Sequence, residues 1–208
     1  MCLNNILIDG SKEAKNILIF AHGAGAPMDS GFMSTIAKGM ANKNLMIIRF
    51  EFNYMHKRRE GIKTFPDNIH KLCIFYESFI NKIKNMFPNK KIWLAGKSMG
   101  GRVSAIISKK INVSGVIIFG YPFHPIKRID KLRLDCLQED GPSILIIQGK
   151  RDKLGNYEEV QNYNLNKNNF IYWIDDGDHS FNTLKSSIKN SSDSVKEAYL
   201  KALNFIKY

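Results

Sequence analysis

Cysteine is scarce: the chain holds 3 in 208 residues, at Cys2, Cys73 and Cys136. They are odd in number and far apart, which excludes a disulfide framework and any cysteine set with metal-ligand spacing. Free thiols point to a reducing, cytoplasmic setting. Long apolar runs are also missing, so no segment is suited to span a membrane. The stretch Met1–Asp9 lacks the basic region, apolar core and small-residue cleavage site of a secretory signal. There are no internal repeats, low-complexity tracts or linkers. A length of 208 residues then suits one domain, 1–208, with a sizeable core.

Acidic residues are under-represented, 19 against 31 lysines and arginines, for a net charge of +12. Such a balance raises nucleic-acid binding. The lysines, however, are spread along the chain, often beside asparagine as in Asn89-Lys90-Lys91. They form no aromatic-interleaved basic stripe and no nucleic-acid motif, so nucleic acid is not the expected partner. The densest cluster is His56-Lys57-Arg58-Arg59 with Lys63, read as a solvated loop.

Short apolar runs alternate with longer amphipathic stretches, which predicts a mostly parallel sheet with helices on both faces. Strands are expected at 5–8, 16–21, 45–50, 92–95, 116–119, 144–148 and 170–174, with the first two forming an opening hairpin. Helices are expected at 34–41, 67–86, 99–108, 158–165 and 195–207. The longest carries Ile69, Leu72, Cys73, Tyr76, Phe79, Ile80 and Ile83 near helical spacing. The segment Tyr121–Pro142 reads as irregular.

The sequence Gly96-Lys97-Ser98-Met99-Gly100 follows the apolar run Ile92-Trp93-Leu94-Ala95. Strand, sharp turn with serine, then helix is the setting of a G-x-S-x-G nucleophile elbow. The glycines are needed because side chains at Gly96 and Gly100 would strike the neighbouring strand and helix. Gly-Lys-Ser also ends a phosphate-binding P-loop. That motif needs a glycine where this chain has Lys91, and a flexible loop where it has a strand.

A serine hydroxyl needs a base to take its proton and an acid to orient that base. In hydrolases built on this elbow the chain order is serine, acid, histidine. One later strand runs into Gln148-Gly149-Lys150-Arg151-Asp152, and the next into Asp175-Asp176-Gly177-Asp178-His179. Asp152 and His179 therefore fall just past strand ends, on the edge where Ser98 emerges. His22 and His124 share that edge, but only His179 follows the acid. Asp175, Asp176 and Asp178 lie too near His179 in sequence and are expected to hold its turn. Asp135 and Asp140 are weaker rivals. The small-residue loop after Ala21 offers backbone N–H groups for an oxyanion hole: Ala24, with Gly25 as the substitute, beside Met99 after the serine. Met28, Tyr54, Tyr121, Phe123, His124 and Leu154 are the expected substrate-binding walls. Lys97 or Arg102 is expected to pair with Glu51.

The runs His22–Ser30, Arg49–Met55, Gly96–Arg102, Gly120–Pro125, Gln148–Asp152 and Gly177–Phe181 occur in that order over nearly the whole chain. Together they resemble small bacterial α/β-hydrolases related to the hydrolase-like domain of an NSL histone acetyltransferase complex subunit and to a testis-expressed relative. Asn53 departs from the proline that the resemblance leads one to expect. The resemblance implies an α/β-hydrolase fold of about seven strands with no large lid domain. It also assigns the triad roles to Ser98, Asp152 and His179.

The expected function is cleavage of an ester or related acyl bond through an acyl-serine. It calls for no metal and no organic cofactor, and for a small acyl substrate. The open site should favour short acyl chains, and the basic segment near its mouth anionic substrates. The alternative is a non-catalytic interaction module on the same fold, against which the ordered triad argues.

Overall fold

In the computed structural model, residues 6–206 are described. Met1 and Cys2, named above, lie outside them, as do Asn5 at the start of the first expected strand and Lys207 at the end of the last expected helix. The order of elements is β1 (Ile6–Asp9), β2 (Asn16–Ala21), α1 (Gly31–Met40), β3 (Leu45–Phe50), α2 (Asn53–Arg59), α3 (Ile69–Met86), β4 (Lys91–Lys97), α4 (Met99–Ile107), β5 (Val116–Phe119), α5 (Asp135–Gln138), β6 (Ile144–Gly149), α6 (Tyr157–Val160), β7 (Asn169–Ile174) and α7 (Ser191–Phe205).

The strands form one seven-stranded sheet in the order β1-β3-β2-β4-β5-β6-β7. All neighbours are parallel except β1, which runs antiparallel to β3. This is an α/β-hydrolase fold. The continuous apolar runs are continuous because both sheet faces are covered. Along β2, Ile17 and Ile19 pack on one side with Leu72, Tyr76, Ile80 and Ile83 of α3 and Val103 of α4. Leu18 and Phe20 pack on the other with Met33, Ile36 and Met40 of α1 and Ala198 and Ala202 of α7. Each large side chain buried this way contributes about 1.5–3 kcal/mol. Among the described residues no helix is long and apolar enough to cross a membrane.

The opening hairpin does not form. β2 pairs instead with β3 and β4, and β1 pairs with β3, from Ile6 opposite Phe50 to Asp9 opposite Ile47. Both edges of β2 are taken by strands that parallel crossovers deliver. The chain steps over the start of β3 at Gly10 (φ +90°), where an added Cβ would lie 2.5 Å from the Leu45 carbonyl oxygen.

The supposed loop at His56–Arg59 is helical, as α2. Its buried face is only Tyr54 and Met55, too short a period to register in sequence. The supposed helix 158–165 stops at Val160. An Asn156–Glu159 capping box starts α6, and the asparagine-rich stretch after it turns on side-chain bonds such as Asn168 N–H to Asn166 Oδ1 (3.0 Å). The irregular 121–142 connection holds the single turn α5.

Candidate active site

Ser98 sits between β4 and α4 at φ 52°, ψ −115°, a strained backbone for a residue with a Cβ. The glycines around it permit that turn. A Cβ on Gly96 would lie 2.1 Å from the Gly100 carbonyl carbon, and one on Gly100 would lie 2.5 Å from the carbonyl oxygens of Ala21 and His22. The Ser98 N–H donates to Phe119 O at 3.1 Å, tying the turn to the end of β5.

The turn after β6 carries Asp152, and the turn after β7 carries His179. Asp152 is fully buried. Its Oδ2 accepts from His179 Nδ1 (2.7 Å) and Gln148 Nε2 (2.8 Å), and its Oδ1 from the Leu154 N–H (2.8 Å). His179 Nε2 lies 2.8 Å from Ser98 Oγ. With Nδ1–H directed at a carboxylate, Nε2 is left as the acceptor for the serine proton. Three residues from three loops, 81 and 27 positions apart from His179, thus form one hydrogen-bonded chain.

Two of the rival acids are occupied elsewhere. Asp178 Oδ1 accepts from the N–H groups of Ser180 (2.7 Å) and Asn182 (2.9 Å), and so holds the histidine turn as expected. Asp175 pairs with Lys150 at 2.6 Å on the surface.

Lys97 has a role the sequence reading missed. Its Nζ donates to the His179 carbonyl oxygen at 2.6 Å, and the residue is only 8 % exposed. Burial brings its ammonium down to about 8, against the opposing pull of Asp152 and Asp178. The expected pairing of Glu51 with Lys97 or Arg102 does not occur. Glu51 Oε1 accepts from Arg59 Nη2 (2.7 Å) and the Met28 N–H (3.2 Å). The helical turn of α2 brings Arg59 back over Glu51, while Lys97 points across to the β7 turn.

The loop after β2 comes up against the serine: a Cβ on Gly23 would lie 3.8 Å from Ser98 Cβ. Among the described residues the backbone N–H groups of Ala24, Gly25 and Met99 have no protein acceptor. The loop's carbonyls are held back from below. Tyr54 OH donates to Gly23 O (3.1 Å) and Ala24 O (3.2 Å), and Arg58 Nη1 donates to Ala24 O (3.0 Å). His22 Nδ1 donates to Gly23 O (2.6 Å), and its Nε2 accepts the Phe52 N–H (3.1 Å).

That last bond makes the loop acid-sensitive. Burial pushes the His22 imidazole down to about 4. The unfolded chain takes up this proton near 6.5 and the folded chain does not. Stability from this group is therefore full above about 6.5 and drains as pH falls towards 4, by about 3 kcal/mol. Urea titrations should show wild type losing that much more than His22→Gln between pH 7 and 4. An unchanged difference would place the titration elsewhere.

The expected pocket walls need correction. Tyr121, Phe123 and His124 are buried, not open to substrate. Gln148 clamps the chain inward there, accepting from the Tyr121 N–H (2.7 Å) and donating to Tyr121 O (3.2 Å). Tyr121 and Phe123 then stack edge to face, and His124 meets Glu159 at 3.2 Å. Met28 is buried too, its backbone bound by Glu51 and Arg49. Leu154 is half-buried in the turn that holds Asp152. Tyr54 is buried as well, but alone of these walls it borders the open cavity of about 800 Å³ between α2 and α3, with Phe52, Phe65, Leu72 and Phe75. That cavity adjoins the loop through Tyr54 rather than enclosing Ser98.

Comparison with known proteins agrees with this architecture. A family profile described as "Alpha/beta hydrolase domain" matches residues 14–207. An alpha-beta serine hydrolase homologue from Coxiella burnetii superposes with a TM-score of 0.76 at 19 % identity, over 97 % of this chain and 91 % of that one. A serine hydrolase without a lid from Xanthomonas campestris gives 0.72 at 16 % identity, over 96 % and 88 %. Est1E from Butyrivibrio proteoclasticus, solved with ferulic acid bound, gives 0.68 at 14 % identity, over 96 % and 95 %.

Proposed function

The chain belongs to the alpha/beta hydrolase domain family, and from that premise we propose that it is a serine hydrolase cleaving carboxylic esters of small acyl groups. The observation that carries this reading is the chain Ser98 Oγ to His179 Nε2 (2.8 Å), Nδ1 to Asp152 Oδ2 (2.7 Å). Ser98 Oγ attacks the acyl carbon while His179 takes its proton. The oxygen of the tetrahedral intermediate gathers charge within reach of the Met99 and Ala24 N–H groups. His179 then gives the proton to the departing alcohol, leaving an acyl-serine. Water, activated by the same imidazole, releases the acid and restores Ser98. Asp152 keeps the imidazole in the right tautomer and stabilises it when charged.

Within the family, the ordered motifs support kinship with the small hydrolases related to the NSL-complex subunit and a testis-expressed relative, as part of the same proposal. A single domain in the cytoplasm fits the free thiols of Cys73 and Cys136. Labelling of native protein by a fluorophosphonate, absent in Ser98→Ala, tests nucleophile activation without a known substrate. An unlabelled native protein would return the fold to the interaction-module reading.

The acyl group is short. Each methylene gains about 0.8 kcal/mol only when buried, and the open cavity of about 800 Å³ is lined by residues of α2, α3 and the segment between them rather than by Ser98. Across a series of p-nitrophenyl esters, kcat/KM should therefore peak at short chains and not climb towards laurate. A steady climb would sink this claim. An anionic preference is not part of the proposal. Arg59 is committed to Glu51 and Asp29, Arg58 to backbone carbonyls, and Lys57 and Lys71 share the cavity lining with the carboxylates of Glu60 and Asp67.

A further inference from the structure

Guanidiniums in this protein generally have partners. Arg49 meets Asp9 at 2.9 Å, Arg59 meets Glu51 at 2.7 Å, and Arg58 and Arg151 donate to backbone carbonyls. A pocket of about 270 Å³ between α4 and α5 breaks that pattern. It is lined by Arg102, Lys109, Lys110 and Arg133, with Asp135, Cys136 and Glu139. Among the described residues the side chains of Arg102 and Lys110 make no hydrogen bond or ion pair. Arg133 makes one long contact, Nη1 to Pro122 O at 3.5 Å. Lys109 donates to a backbone oxygen, Glu139 O, at 2.8 Å. Neither Asp135 nor Glu139 forms an ion pair with any of the four cations.

Such an arrangement is unfavourable as it stands. Both arginines are only partly exposed, and like charges that share a pocket repel. Burial, then the charge of Arg102, pulls the Arg133 guanidinium below its usual range. Burial does the same to the Lys109 ammonium. Four cations against two carboxylates leave a surplus that a doubly charged anion would neutralise. Guanidinium forks suit the paired oxygens of a phosphate, and the lysines add point charges.

We propose that the pocket between α4 and α5 is a binding site for a phosphate dianion, carried by a small phosphomonoester or free in solution. It is distinct from the serine site: Ser98, Asp152 and His179 are absent from its lining. The two sites share α4: Arg102 lies one turn along it, and its N–H donates to Ser98 O at 3.0 Å.

Isothermal titration calorimetry of the full chain with inorganic phosphate and with phenyl phosphate, at constant ionic strength, tests the assignment without using activity. Saturable binding is expected for at least one. Arg102→Gln should weaken it by about tenfold or more, the loss of one charge-assisted pair. Lys110→Gln, on the rim, guards against a variant that fails to fold, and should also weaken binding. Tighter binding of phenyl phosphate would identify a phosphomonoester ligand, and equal binding the free ion; either supports the site. Absence of binding by both ligands overturns it. So does binding that survives both substitutions and blocks fluorophosphonate labelling of Ser98, because that anion would sit in the hydrolytic site.

Discussion

Turnover of a short p-nitrophenyl ester should fall about a million-fold in Ser98→Ala, to the level left by binding and the oxyanion donors alone. The size follows from the removed step. Without Oγ no acyl-enzyme forms, and His179 has no proton to take. The fold should lose little, within about 1 kcal/mol, because alanine keeps the Cβ and with it the strained φ of 52°. Only the 2.8 Å bond to His179 disappears; the ring is still held by Asp152 at 2.7 Å, and the backbone carbonyl of His179 by Lys97. Activity and thermal melting measured on the same preparation separate the two effects. Wild-type turnover in purified, folded Ser98→Ala would refute the assignment of the nucleophile.

The parts of this molecule that could be read from sequence are those governed by local pattern. Each buried central strand announces itself as an unbroken apolar run, and Ser98 stands out because glycines flank it at fixed spacing, Gly96 answering to the Gly100 backbone four residues on and Gly100 to the carbonyls of Ala21 and His22 at the end of β2. Asp152 and His179 were legible because each falls just past such a run, in hydrolase order. What failed is non-local or directional. The partner of β1 depends on which strands already occupy β2, not on the residues of β1. Tyr121, Phe123 and His124 also follow a strand end. There the chain turns inward because Gln148, 27 residues later than Tyr121, clamps it. No periodicity encodes that choice. α2 was hidden for a related reason: its order comes from Tyr54 and Arg58 reaching to the loop after β2 and Arg59 reaching to Glu51. A run of charges looks solvated until its partners are known.

Asp152→Asn should lower turnover by about ten-thousand-fold while leaving the protein folded. The carboxylate accepts three donors and offers none: His179 Nδ1 and Gln148 Nε2 on Oδ2, the Leu154 N–H on Oδ1. An asparagine cannot match that set, because its amide nitrogen is itself a donor. With that nitrogen towards His179, the imidazole must carry its proton on Nε2 and can no longer accept from Ser98. With it towards Leu154, two donors face each other in a buried turn. The tautomer survives in that orientation, but the charge that stabilises the imidazolium is gone. Both orientations disable the base. Asp175→Asn and Asp178→Asn are the controls. The first removes only a surface pair with Lys150 and should change turnover by less than about threefold. The second loosens the histidine turn, and should cost stability more than it costs turnover at saturating ester. If Asp152→Asn is harmless while Asp178→Asn abolishes turnover in a folded protein, the acid is Asp178, and the geometry drawn from the 2.7 Å bond is wrong.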